Sequence, residues 1–121
     1  MANDPLAIRS YYGVLSGAIT TKQTLAALLI AAYAALPTPQ VVPNIAGCEV
    51  NVYADDANGV KVLVGDENVS DTTLNYAYKL SPTGSRRYGP GRMSAVPIAD
   101  IYVMSADHVT AVKIGIEIIP T

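Results

Sequence analysis

The spacing of apolar residues along this chain changes near residue 37. Between residues 20 and 36, apolar side chains recur every three or four positions, which predicts an α-helix. Thr20 or Thr21 can cap this helix, and Gln23 is placed to complete a capping box with Thr20. The helix should end before Pro37, because proline cannot continue the backbone hydrogen bonding. Beyond it, apolar and polar residues alternate, which predicts β-strands.

The predicted strands are short and lie between turns rich in glycine, proline or polar residues. They are expected at 47–54, 60–65, 76–80, 101–105 and 111–119. The Asn58-Gly59 step favours a tight hairpin between the first two strands. Such a series, with turns about every ten residues, is typical of a sandwich or barrel. We predict a mainly β protein: an antiparallel β-sandwich or jelly-roll-like domain over residues 37–121, preceded by an N-terminal arm and one apolar α-helix over residues 1–36.

Both faces of the predicted helix are apolar. One face carries a stripe at helical spacing, formed by Leu25, Leu28, Leu29, Ala32 and Leu36. The opposite face carries small or apolar residues, namely Ala27, Ile30, Ala31 and Ala34. A sandwich can cover only one face of such a helix. The second face is therefore predicted to be an interface between copies of this chain.

Composition narrows the range of partners. The chain has 121 residues, the size of one domain, and only 15% of them are charged. Its eight tyrosines, with no Phe or Trp, suit surfaces that become partly buried. The net charge of −2 gives no general attraction to nucleic acid. The longest apolar run, 25–36, is too short to span a bilayer, so neither nucleic acid nor a membrane is an expected partner.

The sequence offers no constellation that predicts catalysis, a metal site or a cofactor. The single histidine, His108, is predicted to lie in a solvated loop, and the single cysteine, Cys48, in the core. Acidic residues at positions 55, 56, 66 and 67 could in principle meet around calcium, but their positions are typical of turns. We therefore expect a protein that is not an enzyme.

Positive charge is concentrated in one segment. Three arginines and one tyrosine, Arg86, Arg87, Arg92 and Tyr88, lie within seven residues and are predicted to sit on a flexible loop. Arginine and tyrosine are enriched at protein interfaces, so these four residues are candidates for contact with an acidic protein surface. A merely solvated loop and contact with nucleic acid are the alternatives.

Four segments carry a resemblance to a known group of proteins. They are residues 47–54 (GCEVNVYA), 60–65 (VKVLVG), 80–82 (LSP) and 97–105 (PIADIYVMS). Their order resembles small β-sandwich virion proteins of tailed bacteriophages, of the capsid decoration (cement) or head-fibre type. The similarity covers roughly residues 36–119 and leaves out the helix. It implies a structural role without a catalytic site, the major capsid protein as partner, and a location on the capsid surface after synthesis in the host cytoplasm.

Three functions remain open on these grounds. The leading expectation is a cement protein that stabilises the capsid shell. A trimer is the preferred oligomeric state, because cement proteins of the resembled kind often occupy threefold positions, and a dimer is the alternative. The second is a head-fibre or tail-associated module that anchors a receptor-binding part. The third, of another class, is a carbohydrate-binding module, for which Tyr76, Tyr78 and Tyr88 are the candidate aromatic residues.

Overall fold

Residues 13–42, 48–89 and 98–119 are described by the structure, which is a computed structural model. Over these residues the protein is mainly β, with two antiparallel sheets of four strands each and one short helix. In chain order the elements are β1 (Gly13–Leu15), β2 (Gln23–Thr24), α1 (Leu25–Ala34), β3 (Glu49–Ala54), β4 (Val62–Gly65), β5 (Tyr78–Leu80), β6 (Ser85–Tyr88), β7 (Tyr102–Ser105) and β8 (Ile114–Ile119).

The strands pair from the ends of the chain inward, the first with the last and the second with the seventh. The first sheet has the order β1-β8-β3-β6 and the second β2-β7-β4-β5. Antiparallel pairs therefore join β1 to β8, β2 to β7, β3 to β6 and β4 to β5. This arrangement is one long antiparallel ribbon folded over, so that β8 also meets β3 and β7 also meets β4. The predicted mainly β, antiparallel architecture is confirmed.

The prediction of a hairpin at Asn58-Gly59 was wrong. Strands β3 and β4 lie in different sheets, because β3 is already bonded on both sides by β8 and β6. Asn58 instead bonds the segment before β8. Its Nδ2 donates to the Lys113 carbonyl at 3.0 Å, and its Oδ1 accepts from the Lys113 amide at 2.8 Å.

One hydrophobic core lies between the sheets. Along β3, buried and partly exposed residues alternate, as expected for a strand with one face inward. Val50 and Val52 of the first sheet belong to the same buried cluster as Val62 and Val64 of the second. This shared core makes the arrangement sandwich-like, and each fully buried valine contributes about 1.5–3 kcal/mol to folding.

Helix α1 begins later than its sequence pattern predicts. The Thr24 Oγ1 accepts a hydrogen bond from the Ala27 amide at 3.1 Å and caps the helix. Gln23 and Thr24 pair with β7, so the predicted capping box of Thr20 and Gln23 does not form. The prediction that the helix precedes the strands was also wrong, because β1 and β2 come before it.

The segments on both sides of residue 36 contribute to the same two sheets. Helix α1 contacts the edge strands β1 and β2, and its buried residues join the main core. Edge strands expose backbone groups that could pair with another chain, and this helix covers one of the two open sides. The opposite open side lies between edge strands β5 and β6.

The loop between β4 and β5 lies over the outer face of the second sheet. Its Val69 is buried against Leu63 of β4 and Met104 of β7, in a small cluster separate from the main core. This packing fixes the loop on the sheet and creates the clefts described below.

Candidate interaction surfaces

Arg86 joins the open edges of the two sheets. It lies on β6, directly opposite Val52 of β3, rather than on the flexible loop predicted for it. Its Nη2 donates to the hydroxyl of Tyr78 on β5 at 2.6 Å. Its guanidinium carbon lies 3.9 Å from the centre of the Tyr78 ring, a cation–π distance. Arg86 therefore has an intramolecular role between β6 and β5.

Arg87 faces the outer side of the same strand. Its Nη1 lies 3.4 Å from Glu49 Oε2, and 60% of its side chain is exposed. An exposed pair of this kind contributes about 0–1 kcal/mol, so Arg87 can exchange Glu49 for another carboxylate at little cost. Arg87 is thus the more available of these two arginines for contact with a partner.

Tyr88 packs against the main core from the edge of the first sheet. Burial raises the pKa of its hydroxyl, Tyr78 adds to that shift, and Arg86 opposes it. Arg92, the fourth residue predicted at this surface, lies outside the described residues. The structure thus places Arg86 and Tyr88 against the protein and Arg87 toward solvent.

The four small or apolar residues of the outward helix face are all exposed. Ile30 is 62% exposed, and Ala27, Ala31 and Ala34 surround it on the solvent side. The covered face carries Leu25, Leu28, Leu29, Ala32 and Tyr33. Sequence reasoning missed Tyr33, although it follows Leu25 and Leu29 at the i+4 spacing. The outward face, named here the α1 outer face, is an apolar surface with no charged side chain on its helix.

His108 is bonded rather than simply solvated. Its Nδ1 lies 2.5 Å from Asp71 Oδ2, which joins the turn after β7 to the loop after β4. The hydrogen bond and the charge of Asp71 raise the pKa of the imidazole above its usual 6.5. The spacing of these residues, 37 positions apart, offers no sequence signal for this contact.

Asp107 organises the turn that carries His108. Its carboxylate accepts hydrogen bonds from the Thr110 hydroxyl and amide and from the Val109 amide. The Ser105 hydroxyl donates to it as well. Hydrogen bonds to the ionised form, first of all from Thr110, hold the pKa of this carboxyl well below its usual range.

Two shallow clefts adjoin at Asp66. The first has a volume of about 250 Å³ and is lined by Gly65, Asp66, Asn75, Tyr76 and Ala77. The second, of about 260 Å³, is lined by Asp66, Glu67, Asp100 and Tyr102. Together they are named here the Asp66 groove. Of the three tyrosines considered for sugar binding, Tyr76 lines this groove, whereas Tyr78 and Tyr88 lie at the β5–β6 edge.

The titratable groups offer no metal centre among the residues described. No group of three or more His, Cys, Asp or Glu there is placed to hold a metal ion. Asp66 acts as a turn residue, since its Oδ1 accepts from the Asn68 amide at 2.8 Å. Cys48 is buried, and burial raises the pKa of its thiol, which opposes formation of the reactive thiolate.

No protein-family model, curated protein or solved structure matches this chain. In the part of the chain that the structure covers, no helix has the length and apolar character needed to cross a membrane.

Proposed function

We propose that this protein is a capsid decoration (cement) protein of a tailed bacteriophage, which binds and stabilises the shell of the major capsid protein. The observation that carries the proposal is the α1 outer face. Ile30 is 62% exposed there, beside three exposed alanines, on a helix without charge. Burying an isoleucine contributes about 1.5–3 kcal/mol, so this face favours a protein partner.

The strand order is compatible with a virion role. We infer a jelly-roll topology from the pairing of β1 with β8, β2 with β7, β3 with β6 and β4 with β5. Jelly rolls are used by viral capsid proteins and by lectins, so the order is compatible with both classes. The α1 outer face favours the capsid role over the lectin role, because it is apolar and carries no group that would bond a sugar.

We assign the α1 outer face to contact between copies of this chain. Alanine side chains let two helices approach closely, and identical faces can meet around a closed symmetry axis. A trimer is preferred, following the threefold positions of the resembled proteins, and a dimer is the alternative. Arg87 on β6 would then be left to meet acidic groups of the major capsid protein.

Copy number in particles tests the proposal. Quantitative mass spectrometry of virions, purified from lysates of cells that produce this protein, should find it in numbers comparable to the major capsid protein. A few copies per particle would instead indicate the head-fibre or tail role. Absence from particles would overturn a virion function altogether.

Substitutions on the α1 outer face test the assembly. Ala31→Glu and Ala34→Glu each place a carboxylate on the proposed contact and leave the buried leucines unchanged. Both variants should sediment as folded monomers and decorate stripped particles poorly. Ala57→Glu, at an exposed turn position, is the matched control and should behave as the unchanged protein. Normal oligomers and normal decoration by both helix variants would contradict the assignment.

A further inference from the structure

We propose that the Asp66 groove binds a neutral oligosaccharide. The groove crosses the outer side of the second sheet, where the loop after β4 meets the start of β7. It lies on different elements from the α1 outer face and from Arg87. Oligosaccharide binding at this groove would not depend on the proposed capsid role.

The groove is held in shape by contacts from three directions. Val69 anchors the loop from below, since it is only 4% exposed and packs on Leu63 and Met104. The Lys22 ammonium donates to the backbone carbonyl of Glu67 at one side. A binding site of small molecules is usually preformed in this way, because ordering a loose loop would reduce affinity.

The contact between His108 and Asp71 holds the other side of the loop. Within the loop, the amides of Ser70 and Asn75 each donate to the other's carbonyl, at 2.9 and 3.0 Å. The Asn75 side chain also donates to the Asn68 carbonyl at 2.8 Å. These bonds keep Asn75 and Tyr76 in place along the groove.

Aromatic side chains line both clefts of the groove. Tyr76 is 38% exposed in the first cleft, and Tyr102 is half-buried in the second. The apolar ring of a tyrosine can contact the CH face of a sugar, while its hydroxyl remains available for hydrogen bonding. Two such rings on one groove suit a ligand of more than one sugar unit.

Hydrogen-bond acceptors line the same two clefts. Asp66, Glu67 and Asp100 supply carboxylates, and Asn75 supplies an amide oxygen. Asp66 uses Oδ1 for the Asn68 amide, and its Oδ2 has no protein partner among the described residues. Sugar hydroxyls are the donors that such acceptors bind, and a few placed polar groups in a partly apolar cleft are typical of ligand sites.

The charge of the groove selects against acidic sugars. Its three carboxylates would repel a sialic acid, a uronic acid or a phosphorylated glycan. The ammonium groups of Lys79 and Lys22 lie 5.8 Å from the ring centres of Tyr76 and Tyr102 respectively and offset two of these three negative charges, which leaves the groove with one net negative charge. The class of ligand assigned to the groove is therefore uncharged.

Titration of the 15N-labelled protein with three neutral probes tests the inference. The probes are maltotetraose, cellotetraose and N-acetylchitotetraose. Each is added to about 10 mM, a concentration high enough to detect weak binding with a large dissociation constant. At least one should shift amide resonances around the Asp66 groove. No shift with any of the three would overturn the proposal, as would shifts confined to other surfaces.

Two substitutions of Tyr76 distinguish sugar contact by the aromatic ring from hydrogen bonding by the hydroxyl. Tyr76→Ala should weaken binding at least about tenfold, the loss expected when one main contact is removed. Tyr76→Phe, which keeps the ring, should retain most of the affinity. Leu74→Ala is the matched control, because Leu74 is 73% exposed on the same loop but does not line the groove. The dispersion of each spectrum reports whether the variant is folded.

A cationic peptide is the competing ligand for an acidic groove. Tetralysine is therefore titrated in parallel under the same conditions. Binding of tetralysine to the groove, with no response to the sugars, would replace the proposed ligand. Loss of sugar binding would leave the capsid role untouched, since particle copy number measures that role separately.

Discussion

The ring of Tyr53 lies flat against Gly115 of the neighbouring strand. The two residues are paired across β3 and β8, and a Cβ at position 115 would lie 1.9 Å from Tyr53 Cζ. The Tyr53 hydroxyl reaches on toward β1, where it would lie 3.9 Å from a Cβ at Gly13. Gly115 is buried as a result, although it is on the outward side of its strand. One aromatic ring thus covers the middle of the outer face of the first sheet.

Gly115→Ala should destabilise the protein by about 1–3 kcal/mol, because the added methyl group forces the ring out of its position. Urea unfolding followed by circular dichroism measures the change. Gly17→Ala is the control, since nothing lies within 4 Å of a Cβ at that position. In a Tyr53→Ala background the cost of Gly115→Ala should largely disappear. Equal effects of the two glycine substitutions would refute the close approach.

Gly89→Ala should be costly for a different reason. Gly89 follows β6 and has φ at +139°, a conformation that residues with a side chain rarely adopt. An added Cβ would lie 2.7 Å from Glu49 Cα and 2.8 Å from the Cys48 carbonyl, both backbone atoms that cannot turn away. Thermal unfolding should show that the substitution lowers the free energy of unfolding by about 1–3 kcal/mol. Gly59→Ala, whose nearest contact would be Thr110 Cγ2 at 3.8 Å, should change stability far less.

Arg86→Ala should destabilise the protein more than Arg87→Ala. The first removes both the hydrogen bond to Tyr78 and the cation–π contact, worth about 1–2.5 kcal/mol together. The second removes an exposed ion pair with Glu49, worth about 0–1 kcal/mol. Guanidinium unfolding compares the two. Tyr78→Phe should fall between them, since it loses the hydrogen bond and keeps the ring. If Arg87→Ala proves as costly as Arg86→Ala, the edge contact does not stabilise the fold.

The contact of His108 with Asp71 should make stability depend on pH. The pKa of His108 is raised in the folded state, so its stabilising effect is fully present below pH 6.5 and is lost as pH rises through the raised value. Because the chain has a single histidine, one imidazole resonance reports the titration directly. Asp71→Asn should return the measured pKa toward 6.5 and flatten this part of the stability profile. An unshifted pKa in the original protein would contradict the contact.

The spacing of apolar and polar residues was sufficient to predict the helix and the five strands expected from the sequence. Each of the five predicted strands contains one observed strand, and β3 shows the expected alternation of burial, which β8 follows except at the buried Gly115. The period of the helix correctly separated its leucines from Ala27, Ile30, Ala31 and Ala34, because helical spacing alone decides which side chains share a face. The use of the outward face as an interface stays a prediction.

The sequence by itself determined a β-rich chain with one apolar helix, since residue periodicity and good helix-forming residues act over neighbouring positions. Tertiary structure decided where β1, β2 and β6 would form. Strands of two to four residues have no readable period, and they exist because β8, β7 and β3 supply their hydrogen-bond partners. Distant contacts such as Arg86 with Tyr78, and the groove around Asp66, arise only when the folded ribbon brings separate loops and edges together.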